Sequence, residues 1–334
     1  MFSVSHKNPV ALSSDNMHPS PPANHPEWEF LYQSEGCPIF FDPTSHLFHS
    51  IVPFEETTSL YQDQFYEAGS AARFFSPVEV VTRFFRRRRA AYIARFVQPT
   101  GGVLDIGCGN AYVLYYLRED HQVPVVIGTQ VSATAQAFAR ETLGIDVRLG
   151  ELPLLRPDLP TFSVITAWHV FEHVADYETY FKESWDMLAP GGYLILEVPN
   201  AQSWTVGFSG PGWMGWDPPH HVVHFTPEGL EKLLKKQGFQ PVSRSTFSLE
   251  YSVFTSLQSI CNRFSRLRNA FYDGLRRVGG NRPPLWLILF QGMWFSILFF
   301  PVLLVNLLLA PTPWGEVLHV IAQKPVHPGS NHPH

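Results

Sequence analysis

The chain has 334 residues, with 24 lysines and arginines against 29 acids, and its formal net charge of −5 offers no general case for nucleic-acid binding. That length is ample for a full hydrophobic core. Its three cysteines, Cys37, Cys108 and Cys261, stand far apart without a C-x-x-C pair, which argues against a zinc ribbon or disulfide framework and fits a reducing compartment. Residues 1–28 are rich in Pro, Ser, His and Asn and lack an apolar stretch, so they read as a disordered tail rather than a signal peptide. Recurring aromatics (Phe40, Phe41, Phe48, Phe54, Tyr61, Phe65, Tyr66) predict a helical and aromatic cap over 29–89. Its last helix holds Arg83 and the run Arg86-Arg87-Arg88-Arg89, which exceeds one helical turn, so at least one arginine must lie near the apolar face. The run reads either as a solvated face or as a contact with anionic headgroups.

The most informative stretch is Val103-Leu104-Asp105-Ile106-Gly107-Cys108-Gly109-Asn110-Ala111, an apolar strand entering a glycine turn, followed by a helical pattern from Tyr112 to Leu117. Tyr112 occupies the place of the third glycine in G-x-G-x-x-G, which weakens a nicotinamide or flavin reading. Strands are then predicted over Pro124–Gly128, Val147–Glu151, Phe162–Ala167 and Tyr193–Val198, with helices from Ser132 to Leu143 and up to Leu188. This alternation implies an α/β fold with a parallel sheet covered on both faces. The D-x-G-x-G turn, the Glu172-His173-Val174 helix start, the Leu188-Ala189-Pro190-Gly191-Gly192 turn and Val198-Pro199-Asn200 follow in the order and spacing of one family. On these residues the chain resembles the class I S-adenosylmethionine-dependent methyltransferases.

The resemblance implies a doubly wound, seven-strand Rossmann-like sheet with a C-terminal antiparallel strand, formed by residues 90–254 and 314–325. It assigns S-adenosylmethionine to Asp105, Gly107, Cys108, Gly109 and Asn110. Many members place an acid at the end of the second strand to accept from both ribose hydroxyls; here Gln130 stands there, a neutral amide that still donates and accepts. Glu151 is a candidate for the adenine side, and Trp168 and His169 lie at a strand's carboxyl end, where open α/β sheets bind ligands. His169-Val170-Phe171-Glu172-His173 also matches the inverted zinc-protease pattern. Its place directly after a strand argues against a zinc hydrolase, and no metal is expected. The loop from Trp213 to Thr226 carries D-x-P-x-H before an F-T-P helix start, with Thr226 as N-cap and Pro227 at the first helical position. A histidine there suits a general base for oxygen methylation, His221 first and His169 next.

Leu285–Ala310 carries no charge and exceeds the roughly 20 residues that span a bilayer core. Arginines 263, 266, 268, 276, 277 and 282 surround its approach, with Asp273 the sole acid among them. Glu316–Ala322 alternates like the final strand, with a hairpin partner near Pro241–Ser252, so the chain must return to the side it left. Residues 255–313 are therefore expected to form a membrane-associating insertion, a re-entrant or interfacial helical hairpin bent near Pro301. A buried helix pair in a core or dimer is the alternative. Residues 326–334 read as a loose tail. Together these features predict a methyltransferase on the cytoplasmic side of a membrane, acting on a small apolar or lipid-like acceptor, on oxygen or on carbon. A non-catalytic membrane-associated Rossmann module and lipid cyclopropanation are the rivals.

Overall fold

The computed structural model describes residues 19–52, 76–276 and 282–326. Phe54, Tyr61, Phe65, Tyr66, Arg277 and both predicted tails, apart from residues 19–28 and Val326, lie outside them.

Five parallel strands form the centre: β4 (Gly102–Ile106), β5 (Val125–Gln130), β6 (Asp146–Leu149), β7 (Phe162–Trp168) and β8 (Leu188–Pro199). Two more, β10 (Gln240–Ser245) and β11 (Val317–Gln323), complete a seven-stranded sheet in the order β10-β11-β8-β7-β4-β5-β6, with β11 antiparallel to both neighbours. The predicted final strand and its hairpin partner are thus present. Successive residues serve opposite cores, as the two-residue period of a strand requires. Leu104, Ile106, Ile165, Leu194, Leu196 and Leu318 face one core, while Val103, Val164, Ile195 and Ile321 face the other.

On the second face pack α1 (Ser76–Ile93) through Ala90 and Ile93, α2 (Tyr112–His121) through Leu114 and Leu117, and α3 (Ala133–Leu143) through Ala139. The first face takes a single turn, α4 (Leu152–Leu155), through Leu152 and then α5 (Tyr177–Met187) through Phe181 and Met187. After a short helix, α6 (Trp204–Ser209), the same face takes α7 (Pro227–Lys236) through Leu230, Leu233 and Leu234. Thr226 caps α7 by accepting from the Gly229 amide at 3.0 Å, with Pro227 in the first position, as its sequence predicts.

The cap is β-structure where it was expected to be helical. The strands β1 (Glu29–Ser34), β2 (Cys37–Asp42), β3 (Leu47–Ser50) and β9 (Val223–His224) form a four-stranded antiparallel sheet in that order. Glu35 and Gly36, both with positive φ (50° and 83°), join β1 to β2 in the two-residue turn that matches strand twist. Of the expected cap only α1 is helical among the described residues.

The arginine run divides between a solvated face, where Arg87 and Arg88 are exposed, and contacts within the molecule. Arg87 pairs with Asp120 at 2.7 Å, Arg86 with Glu79 at 3.3 Å, and Arg83 reaches the Tyr112 hydroxyl at 3.1 Å. Arg89 is the one that turns inward, bonded to Glu250 at 2.6 Å.

The insertion is three helices: α8 (Ser252–Phe264), α9 (Ala270–Leu275) and α10 (Leu285–Leu309). The expected bend at Pro301 is corrected, because α10 runs as one 25-residue helix through it. Proline removes a single amide donor there, and the packed stripe continues on both sides with Phe295, Val302 and Asn306 buried. The hairpin is instead made by α10 lying back on α8, through Val253, Leu257, Phe295 and Val302. The polarity of α10 is inverted. Its buried stripe includes Gln291 and Asn306, which bond to Gln258 (3.3 Å) and Ser256 (3.0 Å). Its outer face exposes Leu285, Trp286, Leu289, Ile297, Phe300, Leu304 and Leu308.

A buried carboxyl, Glu316, ties this arm to the sheet by accepting from Thr205 (2.6 Å), Ser256 (2.9 Å) and Trp213 (3.3 Å). Burial outweighs these donors and pushes its pKa up to about 7. The folded state therefore favours the proton, and this stabilising contribution is complete below the ordinary carboxyl range and lost as pH rises through about 7. Glu316→Gln, which cannot ionise, is expected to gain on the order of 3 kcal/mol relative to the wild type between pH 5 and pH 8. Urea unfolding at the two pH values measures it, and a constant difference would contradict the assignment.

Candidate active site

The C-terminal ends of β4, β5 and β7 form the edge at which the sheet presents its chemistry. The β4 turn is braced by β5: the Cys108 amide donates to the Thr129 carbonyl at 3.0 Å and the Gly107 amide to Thr129 Oγ1 at 3.4 Å. Gly107 (φ +65°) lies against Val170, where a Cβ would come within 2.6 Å of a methyl carbon. Gly109 (φ +56°) has no heavy atom within 4 Å of the corresponding point, so the outer side of the turn is an open cradle. Beneath it Asp105 is buried and accepts from Thr166 Oγ1 at 2.6 Å. Burial pushes its pKa up to about 6 against the opposing effects of Thr166 and Arg89. Cys108 is half-buried, its thiol pushed up by desolvation and by Asp105. Asn110 is half-buried at the mouth of the turn.

Gln130 ends β5 as expected, but its amide is partly committed. Its Oε1 accepts from the Val131 (2.7 Å) and Ser132 (3.2 Å) amides, and the side chain as a whole is buried, so donation through its NH₂ group is what it has left to offer. Glu151 follows β6 at the N-cap of α4, exposed and without a capping hydrogen bond. Trp168 ends β7 with its ring packed by the Arg89 guanidinium at 4.1 Å and stacked with the His319 ring at 5.3 Å.

His169, in the left-handed region (φ 54°), lies between two buried carboxylates. Its Nδ1 is 3.1 Å from Glu172 Oε1 and its Nε2 is 3.4 Å from Glu197 Oε1. Burial works against the charge, yet the two carboxylates win and raise its pKa to about 9. Glu197 is held well below the usual carboxylate range by His169, His319 and Arg89 despite its burial. Ser248 donates to Glu197 at 3.2 Å, and the Tyr251 ring packs 4.1 Å from His169. Glu197, Arg89, His319 and Tyr251 escaped the sequence reading. The one usable signal was an acid inside the apolar strand Tyr193–Val198, because a buried carboxylate demands partners.

The H-x-x-E-H stretch is a single 3₁₀ turn, Phe171–His173, rather than a helix. Its two histidines have separate partners, since His173 Nδ1 bonds to the His220 carbonyl at 3.0 Å. The zinc-protease arrangement, which needs both histidines on one helix face, is therefore not formed. His221 Nδ1 bonds to the Gly215 carbonyl at 2.8 Å, and its ring lies 4.7 Å from that of His173. His224 is buried against Ser50 Oγ at 2.7 Å, which seats this loop on the cap sheet.

Residues 81–244 match the family model of a methyltransferase domain. The chain is 32% identical over 153 residues to a ubiquinone biosynthesis O-methyltransferase of Cereibacter sphaeroides, covering 42% of this chain and 61% of that one. It is 28% identical over 162 residues to a probable S-adenosylmethionine-dependent methyltransferase of Mycolicibacterium smegmatis, covering 47% and 59%. A demethylmenaquinone methyltransferase of Thermus thermophilus is 34% identical over 119 residues, covering 34% and 54%. The chain thus spans about three-fifths of the length of the curated relatives it matches. The open glycine cradle and the buried acid beneath it fit S-adenosylmethionine, the cofactor of these relatives' class. The strand order, the turn after β4 and the family match converge: residues 81–244 of this chain form a Rossmann-like methyltransferase domain of the class I, S-adenosylmethionine-dependent kind.

Proposed function

We propose that the protein methylates a hydroxyl oxygen of a small, apolar or lipid-like acceptor at the cytoplasmic surface of a membrane. The observation that carries this reading is where the apolar arm is rooted. Strand β10 runs parallel to β8, and Val317 at the start of β11 pairs with Pro199 at the end of β8. Residues 246–316 therefore leave and rejoin the sheet at the same edge as the glycine turn and His169. The foot of the arm supplies Ser248, Glu250 and Tyr251 to the charged cluster there. An acceptor dissolved among lipid chains would meet the site without crossing open water. The names of two relatives, for ubiquinone biosynthesis and for demethylmenaquinone, support an acceptor of this kind.

S-adenosylmethionine supplies an activated methyl group for in-line displacement, so orientation and exclusion of water carry much of the catalysis. In this reading Asp105 and the glycine turn orient the cofactor. His169 cannot serve as the base at neutral pH, because Glu172 and Glu197 keep it protonated. That leaves His221, whose Nδ1 donates to a carbonyl, so that its Nε2 is the nitrogen placed to take a proton. Replacing His221 with Ala is expected to lower kcat about 100-fold while leaving cofactor affinity within about twofold. An equal loss of cofactor affinity, read by calorimetry, would contradict the role.

The reading is tested with methyl-labelled S-adenosylmethionine and a host membrane extract. Label entering organic-soluble material as a methyl ether supports it. A carbon-methylated product or loss of an alkene assigns C-methylation or cyclopropanation instead. Absence of both transfer and cofactor binding would leave a non-catalytic module.

A further inference from the structure

The H-x-x-E-H stretch forms no protease site, but two of its residues meet a third from a distant loop. One ligand atom each of Glu172, His173 and His221 lies within 4.8 Å of the other two. The Nδ1 of both imidazoles faces a backbone carbonyl, which only accepts, so Nε2 is the ring atom through which each would coordinate. Such backbone carbonyls are the partners that orient metal-bound histidines and fix their tautomer. The carboxylate supplies the independent sign. Glu172 is 1% exposed; its Oε1 is engaged by His169, while its Oε2 is buried and accepts no hydrogen bond. A buried carboxylate oxygen left without a donor is costly unless something else fills the position.

The geometry points to a site for one divalent cation of borderline softness, zinc-like, held by Glu172, His173 and His221. Two imidazoles and one carboxylate suit zinc or cobalt over magnesium or calcium, and three protein ligands leave a coordination position open. The cation would fasten the loop carrying His221 to the turn after β7. Its binding is independent of the proposed function; its chemical role rests on that reading. There, His221 becomes a ligand rather than a free base, and a bound cation lowers the pKa of an acceptor hydroxyl in its place.

The test uses the full chain, stripped with chelator and titrated with Co²⁺. One equivalent is expected to bind with the visible absorption of a four- or five-coordinate site, and Zn²⁺ is expected to displace it. Glu172→Gln keeps the shape and removes the charge, and His221→Asn removes a nitrogen from a half-buried ring. Each is expected to weaken Co²⁺ at least 100-fold, with the melting temperature in chelator checked to confirm folding. Absence of visible absorption and of a Zn²⁺-induced rise in melting temperature in the wild type would overturn the site. So would binding that survives both substitutions, which would belong to histidines elsewhere in the chain. Methyl transfer is scored separately: transfer undiminished in chelator, without a cobalt spectrum, sinks the cation and spares the activity. A cobalt spectrum without any transfer does the reverse.

Discussion

Asp105→Ala is expected to abolish detectable methyl transfer by weakening the cofactor at least 100-fold. The carboxyl is buried, bonded to Thr166 and placed directly beneath the open turn at Gly109. A hydrogen bond to a charged group contributes about 1.5–3 kcal/mol, and the Thr166 hydroxyl left behind adds the cost of an unpaired buried donor. The two losses act in the same direction on a pocket that must be preorganised. Calorimetric titration with S-adenosylmethionine measures the effect. Because burial holds this acid near pH 6, wild-type affinity is also expected to fall as the solution is acidified through that value, if the ionised form is the one that binds. Affinity unchanged in the Ala variant would remove Asp105 from the cofactor site.

The second large effect concerns α10. Ile297→Arg combined with Leu304→Arg is expected to release the protein from lipid vesicles that the wild type floats with. Both side chains are more than half exposed (56% and 57%), so the substitutions leave the buried stripe of the helix alone. An arginine at the centre of a spanning helix costs roughly 2.5–3.5 kcal/mol on insertion scales, so two shift partitioning by about four orders of magnitude. In water the same exchange is free of packing cost and favours solubility. Equal flotation of both proteins, or equal solubility of both without lipid, would overturn the membrane contact. A deletion of the whole arm is a poorer test, since it also removes Ser256 and Asn306 from the network around Glu316.

The sequence was most legible where a single physical rule decides the outcome. Apolar runs such as Phe162–Ala167 are buried on both faces, and the helix starting after Thr226 carries its cap and its proline, so these elements stand where they were expected. The turn after β4 was legible because Gly107 and Gly109 both take positive φ, a region that favours glycine. Long-range pairings were not. Nothing local links Arg89 to Trp168 and Glu250, or His169 to Glu197, because such partners meet only after the sheet has formed. The β-structure of residues 29–50 is not legible from aromatic content, which suits helix and strand alike; it follows from strand pairing across the positive-φ turn at Glu35-Gly36. Gln130 was placed correctly at the end of β5, but its bonds to its own turn follow from backbone geometry that no motif encodes. On α10, length and apolarity predicted a special environment; the choice of an unbroken helix came from its packing on α8.

Both ends of the arm are built into adjacent strands, β10 and β11, so it cannot swing free of the sheet that bears the site. In the proposed reading, where the arm enters lipid that dissolves the acceptor, the enzyme searches a surface rather than a volume. Its rate would follow the mole fraction of acceptor within the lipid, not the bulk concentration. Adding inert lipid at fixed enzyme and fixed acceptor would slow turnover by thinning the acceptor across a larger area. Detergent micelles holding one acceptor each would make exchange between micelles the limiting step. Assays in clear aqueous buffer would understate the activity for the same reason.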